Sequence, residues 1–462
     1  MAGTLSNADA PPTGTTVAEG VPAEAITARL GVVVLAAWPL LLSILLLMVG
    51  SGLQGALLGV RADRSGFNST ITGLVLGLYY LGYVAGSAWV PGMIRRVGHI
   101  RVFSSLASLA SATVVVHGVW VSPIPWMFLR FITGVCVAGL FIVSESWLND
   151  VSTSSTRGSL LAVYNSVVTG GLAIGSLLLN VADVDGFVLF VIGSVMLSIA
   201  AVPVALAPHQ APPPREPRPR SVRDVVRSAP LGITGATLSG FSTGAALGFG
   251  AVYATRAGFG VSGASQFVAA LLIGAVIGQF PLGRWSDRTD RRYVLAAAAL
   301  LVVVGSLTGA AATVGDNFPS ALVAALLVGA GAFSLYGLSF AHVADYVDPA
   351  DMPATGARLI TFNGLGAAAG PFVASAAISA VGPEGIFYVL GAMAVPFVVY
   401  VALRLTRRPN VSDDRRAHYA PLSTSATVAA LDELASEVSG VEIVEVEARG
   451  RRRLARTRST RR

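Results

Sequence analysis

The chain has 462 residues, 53% hydrophobic and only 12% charged, with a formal net charge of +7. A soluble domain carries roughly 25% charged residues, so this chain lacks the polar surface to cover a globule in water, and lipid must be the solvent for much of it. Its 32 basic residues are all arginine and fall mainly in alternate loops and at the C-terminus, a pattern of membrane topology rather than of nucleic-acid binding.

Residues 1–36 open the chain with a polar stretch in which Asp9, Glu19 and Glu24 precede the first arginine. It lacks the basic start of a secretory signal peptide and reads as a disordered cytoplasmic tail. Spanning the hydrocarbon takes about 20 apolar residues as a helix. Twelve runs meet that length: 37–60, 69–93, 100–121, 124–149, 158–181 and 186–207, then 230–255, 263–285, 293–314, 318–346, 356–381 and 384–405. Cys136, the lone cysteine, lies in the fourth run, so no intramolecular disulfide forms. Most linkers are short. The exception is the Pro/Arg-rich segment 208–228, which divides the chain into six helices at 37–207 and six at 229–405. The expected fold is all-α and integral to the membrane, with twelve transmembrane helices in two six-helix bundles. Residues 406–462 form a charged, arginine-rich tail, read as disordered and able to cling to anionic lipid.

With the N-terminus inside, the cytoplasmic loops hold 14 arginines and the opposite loops only Arg61, Arg64 and Arg256. The positive-inside rule then places both termini in the cytoplasm.

The halves repeat. Asp150, Gly158, Leu161 and Asn165 recur as Asp348, Gly356, Leu359 and Asn363, each 198 positions later. Each half also has a charge-dense loop between its second and third runs. The second-half loop is Gly283-Arg284-Trp285-Ser286-Asp287-Arg288-Thr289-Asp290-Arg291-Arg292; its degenerate twin is Arg95-Arg96-Val97-Gly98-His99-Ile100-Arg101. The matches at one offset, with the shared loop position, favour an internal repeat.

Twelve helices as six plus six, with G-x-x-x-D-R-x-x-R-R after the eighth, resemble the major facilitator superfamily over about residues 37–405. Gly283, Asp287, Arg288, Arg291 and Arg292 stand at the positions of its loop motif, whereas the first-half copy has Arg95 where the motif has aspartate. RVGHIRVF at 96–103, ESWLN at 145–149 and the tail segment at 418–434 are similar to the YcaD-like group within it. The resemblance implies that the charged loops latch the cytoplasmic ends of the bundles while the protein faces outward. Asp345 and Asp348, at the end of the tenth run, are the expected partners of Arg288, Arg291 and Arg292. In the first half a sign-swapped latch is expected, Arg95 pairing with Glu145 or Asp150, with Arg96, Gly98, Arg101 and Arg157 around it.

An arginine inside a membrane helix costs several kcal/mol and is usually functional. Arg130 is followed four residues on by Gly134, an arrangement that in the resembled family is associated with proton coupling; snorkelling to the nearby outer surface is the other reading. Glu145 lies fifteen residues further, about 22 Å along the helix and turned about 60°, so the two share a face without touching. It is read as a proton site or a latch member. Weakly polar residues complete the expected cavity: Ser51, Gln54, Tyr79, Tyr80, Tyr83, Ser242, Thr243, Ser334 and Tyr336. The repeat-related pairs Tyr164-Asn165 and Phe362-Asn363 are the preferred candidates for a site between the halves. His117 and His342 read as packing histidines. The fifth run has Gly170-Gly171 and Gly175 without the proline of the drug-antiporter motif; Gly370-Pro371 occurs in the eleventh instead.

No P-loop, metal-ligand cluster or nucleophile–base arrangement is visible, so neither enzyme chemistry, cofactor nor metal is expected. The expected function is secondary active transport of a small solute by alternating access, coupled to protons, in a bacterial inner membrane and as a monomer. Efflux of drugs or metabolites by proton antiport, or a non-transporting sensor or scaffold on the same fold, are the competing readings.

Overall fold

A computed structural model of the chain describes residues 34, 37–151, 157–206, 229–347 and 352–407. The expected tails, the 208–228 linker and Asp348 lie outside the described residues, as do the side chains of Asp150 and Arg157.

The first half comprises α1 (Trp38–Arg64), α2 (Ser69–Val97), α3 (His99–Val119), α4 (Pro123–Val151), α5 (Arg157–Leu177) and α6 (Val188–Ile199, resumed as the short helix Ala201–Ala205). The second half comprises α7 (Pro230–Arg256), α8 (Gly260–Arg288), α9 (Arg291–Val314), α10 (Phe318–Ala344), α11 (Met352–Val381) and α12 (Gly385–Arg407). The twelve apolar runs thus become twelve helices. Packing repeats with them. In the first half α1 lies against α5, α2 against α4, and α3 against α4 and α6; six helices on, α7 lies against α11, α8 against α10, and α9 against α10 and α12.

Eleven of these helices are long and apolar enough to cross a bilayer on their own sequence; α7 is the exception. Glycine, serine and threonine dilute its apolar character, yet nearly its whole length is buried. The explanation is contact with protein rather than lipid. A methyl group at Gly240 or Gly244 would overlap the backbone of Asn363 or Ala367 on α11, so the small residues are what allow the two axes to approach. The outward faces carry the opposite chemistry, with Trp89, Phe128, Ile277 and Leu307 all more than half exposed and turned to lipid.

The charged segments are more helical than their composition suggests. α2 runs through Arg95 and Arg96 to Val97, leaving Gly98 alone, at φ +87°, between α2 and α3. α8 continues through Asp287 and Arg288, so the expected loop at 283–292 shrinks to Thr289 and Asp290. Arginines suit the C-terminal end of a helix, where carbonyls lack partners and the helix dipole is negative. Asp290 then starts α9 as an N-cap, accepting from the Arg292 backbone N–H at 3.0 Å.

Candidate functional site

The halves meet along α1 with α7, α2 with α11, and α5 with α8. Among them lies a cavity of about 150 Å³. Arg130, Gln54 and Asn363, expected from sequence, line it, together with Ser51, Tyr79, Tyr80, Tyr83 and Thr243. Phe141, Thr169, Gln279 and Phe333 also line it and were not anticipated. Gln279 left a signal that went unused: it is an amide in the middle of an apolar run, and it is buried.

Arg130 is placed by a crossing of α2 and α4. Gly134 brings α4 against the Tyr79 backbone, and Gly82 brings α2 against the Phe131 carbonyl. One turn before Gly134, the Arg130 guanidinium therefore lies over the Tyr79 ring, its carbon 4.5 Å from the ring centre. Arg130 is 6% exposed, so it is held inside rather than snorkelling to the surface. Its Nε is buried without a hydrogen-bond partner among the described residues. The spacing of arginine and glycine thus has a geometric reason, since the glycine permits the contact that seats the arginine.

Glu145 belongs to a second cluster, away from the cavity wall. It is 1% exposed and is electrostatically coupled to Tyr83 and Tyr164 of its own half and to Tyr336 of the other. Phe141, which lines the cavity, is edge-on to Tyr83 at 6.4 Å and to Tyr164 at 6.5 Å. Asn363 donates from Nδ2 to the Ala236 carbonyl at 3.0 Å, tying α11 to α7 at the cavity edge. Its repeat partner Asn165 is buried, and Phe362 is half-buried; neither lines the cavity.

At the arginine-rich end, Arg291 and Asp345 form an ion pair at 2.8 Å with both side chains at most 5% exposed. Arg291 also reaches Asp287 at 3.7 Å and Ser286 at 2.9 Å. Arg292 turns to Asp290 at 2.6 Å and to the Arg404 carbonyl at 3.2 Å. Arg288 is exposed and makes no ion pair among the described residues. Gly283 is buried in the last turns of α8. Arg95 and Arg96 are exposed on the last turn of α2, and Arg101 is exposed on α3. The sequence left the partner of Arg95 open between Glu145 and Asp150; Glu145 is buried beside the tyrosines.

The opposite end holds a network that sequence reasoning used only for topology. Arg256, closing α7, pairs with Asp63, closing α1, at 2.5 Å, and donates to Ser69 Oγ at 2.9 Å. Asn180 Nδ2 donates to Ser265 Oγ of α8 at 2.7 Å, a second polar tie between the halves. Asp185 accepts from Arg61 at 2.7 Å and Arg64 at 2.8 Å. The Arg64 hydrogen bond, aided by that of Arg61, holds the Asp185 carboxyl below the usual carboxylate range. The legible signal was position: Arg256 and the Arg61–Arg64 run end helices six apart in the repeat. His117 is a packing residue, its Nδ1 2.6 Å from the Thr113 carbonyl and its ring against Trp126. No group of three or more His, Cys, Asp or Glu suited to a metal occurs among the described residues.

The family model of the Major Facilitator Superfamily matches residues 40–277 and 261–438. The chain belongs to that superfamily. It is therefore a multi-pass membrane protein of a transporter family and not an enzyme. The uncharacterised transporter YcaD of Salmonella typhi is 26% identical over 375 residues, 80% of this chain and 96% of that one. Among solved structures, the nucleoside transporter NupG aligns with a TM-score of 0.65 at 13% identity, covering 81% of this chain and 100% of that one. The D-xylose–proton symporter aligns at 0.62 and 13% identity, over 82% and 98%. A bacterial homologue of the lysosomal transporter Spinster, in an inward-facing state, aligns at 0.60 and 18% identity, over 88% and 96%. At these identities the structural likeness establishes the fold.

Proposed function

We propose that this superfamily member is a secondary active transporter that carries a small solute by alternating access, coupled to protons, in a bacterial inner membrane with both termini cytoplasmic. The observation that carries this reading is the central cavity walled by helices of both halves, because a site between two rocking bundles is exposed to either side in turn. In the proposed orientation the Arg256–Asp63 end faces outward. Its polar ties and the packing of α2 on α11 then close the outer side. Arg291–Asp345 and its neighbours line the cytoplasmic side, where they bias the rocking equilibrium.

Glu145 is the proposed proton carrier. It is buried, and the hydroxyls around it come from both halves, so rocking changes its surroundings. A carboxylate that loses polar neighbours in one state takes up a proton there. The proton symporter among the structural neighbours is consistent with coupling on this fold, by analogy alone. For the first-half latch, Arg95 and Asp150 remain the proposed pair, with Arg96, Arg101 and Arg157 beside them and Asp348 joining the second-half latch.

The test is flux in liposomes carrying the purified protein, using a solute found by thermal-shift screening. An imposed pH gradient should drive accumulation of that solute. Glu145→Gln should abolish gradient-driven accumulation and leave solute exchange without a gradient intact. Accumulation indifferent to the gradient would sink the proton-coupled reading.

A further inference from the structure

The cavity has one charge. Of the residues that line it, Arg130 alone is ionised at neutral pH, and a guanidinium does not lose its proton in a protein. Arg130 is 6% exposed and makes no hydrogen bond or ion pair among the described residues. The guanidinium carbon lies over the Tyr79 ring. That contact gives the guanidinium a ring face and supplies no oxygen or nitrogen acceptor to its N–H donors. A planar fork of donors therefore stands at the cavity wall unused, in surroundings where an uncompensated charge is costly. Gln54 faces the same cavity. It is 2% exposed, and its Nε2 is likewise buried without a partner. Much of the remaining wall is apolar or aromatic, with Tyr80, Phe141, Leu272 and Phe333 among it.

Resting on the transporter reading above, we propose that this cavity is a receptor for a small organic monoanion, a carboxylate on a flat apolar body. The carboxylate takes the Arg130 fork in two parallel hydrogen bonds, with the Gln54 amide as a further donor, and the aromatic wall takes the body. The charge count selects a monoanion, since a second negative charge would find no cation on this wall. A carboxylate matches the spacing of the fork. The volume of about 150 Å³ suits a body of roughly benzene size. An empty cavity carries one uncompensated positive charge and a loaded one carries none, so loading removes the electrostatic cost of closing the site off from water between its two open states.

Binding to the purified full chain in detergent tests this, by thermal shift and equilibrium dialysis. The probes are benzoate and thiophene-2-carboxylate, with benzamide and benzylammonium as neutral and cationic counterparts. The carboxylates should protect the protein and the counterparts should not. Arg130→Gln should weaken benzoate by about tenfold or more, as expected for losing a charged hydrogen-bond partner. Arg130→Lys, which keeps the charge but not the fork, should fall between. Gln54→Leu should weaken benzoate while leaving the preference over benzamide. Equal binding of benzamide and benzoate, failure of both carboxylates to bind folded protein, or wild-type affinity in Arg130→Gln would each overturn the proposal. Flux of the bound carboxylate in liposomes separates the two readings. Arg130-dependent binding without flux in either direction removes transport and keeps the receptor. Carriage of a neutral solute unaffected by Arg130→Gln removes the receptor and keeps transport.

Discussion

At the residue scale, Gly134 and Arg130 act as one unit, because the close approach at the glycine is what sets the guanidinium over Tyr79. Gly134→Val should push α2 and α4 apart, lowering stability by roughly 1–3 kcal/mol as overpacking does. A fall in melting temperature together with weaker binding at the cavity is the expected result, read by thermal unfolding with and without ligand. Asp290 answers a different question. Burial alone would raise its pKa, but the hydrogen bonds from the Arg292 guanidinium and backbone outweigh burial and hold the carboxyl below its usual range. A depressed carboxylate stabilises above its unfolded pKa and loses that contribution only as pH falls through its still lower folded value. Between about pH 5 and 8 the Asp290–Arg292 tie therefore does not titrate. Asp290→Asn should lower the melting temperature equally at both pH values and leave the shape of any pH–rate profile unchanged. Arg130 and Asn363 were legible as polar residues in apolar runs. That Glu145 lies among tyrosines of both halves was not, because Tyr83, Tyr164 and Tyr336 are far apart in the chain.

At the element scale, the two ends of the molecule differ in how their helix termini are tied. α1 and α7 are joined across the halves by Asp63–Arg256, whereas Arg291–Asp345 joins α9 to the end of α10 within one half. Arg256→Ala should loosen the first tie, seen as faster hydrogen exchange at the C-terminal turns of α1 and α7. The swapped pair Asp63→Arg with Arg256→Asp should restore protection; no recovery would show that the pairing is incidental. Arg291→Ala leaves Asp345 buried beside lost donors. Removing one partner of a buried pair costs about 3–5 kcal/mol, so a marked fall in thermal stability is expected, with Asp345→Asn in the same background recovering part of it. The arginine-rich motif was plain in sequence. Its division between the last turn of α8, a two-residue link and the first turn of α9 was not, because helix ends depend on capping and packing as much as on composition.

At the scale of the whole molecule, packing of equivalent helix pairs in the two halves supports a common origin for them, and the cavity between them supports the rocking mechanism proposed above. Rocking must trade contacts at one end for contacts at the other. Arg256→Ala is therefore expected to shift the population towards outward opening, measured as increased labelling of a cysteine introduced at Ser69, which is buried beside Arg256, with Cys136 buried and silent. Unchanged labelling would separate the Asp63–Arg256 tie from gating.

Composition and the spacing of apolar runs determined by themselves that the chain spans a membrane twelve times as two related halves. A bilayer leaves a backbone of this kind no alternative to helices of that length, and apolar runs report helices wherever lipid is the solvent. α7 shows where that logic ends. Its small, weakly apolar residues are explained only by its neighbours, since a helix enclosed by protein answers to packing rather than to lipid. The same holds for the site. Which polar residues converge on a cavity depends on how α1, α2, α4 and α11 cross. Crossing is decided by three-dimensional contacts such as Gly82 with Phe131 and Gly134 with Tyr79, between residues some fifty positions apart in the chain. Only the tertiary structure brings Arg130 and Gln54 to one cavity and sets Glu145 among tyrosines of both halves.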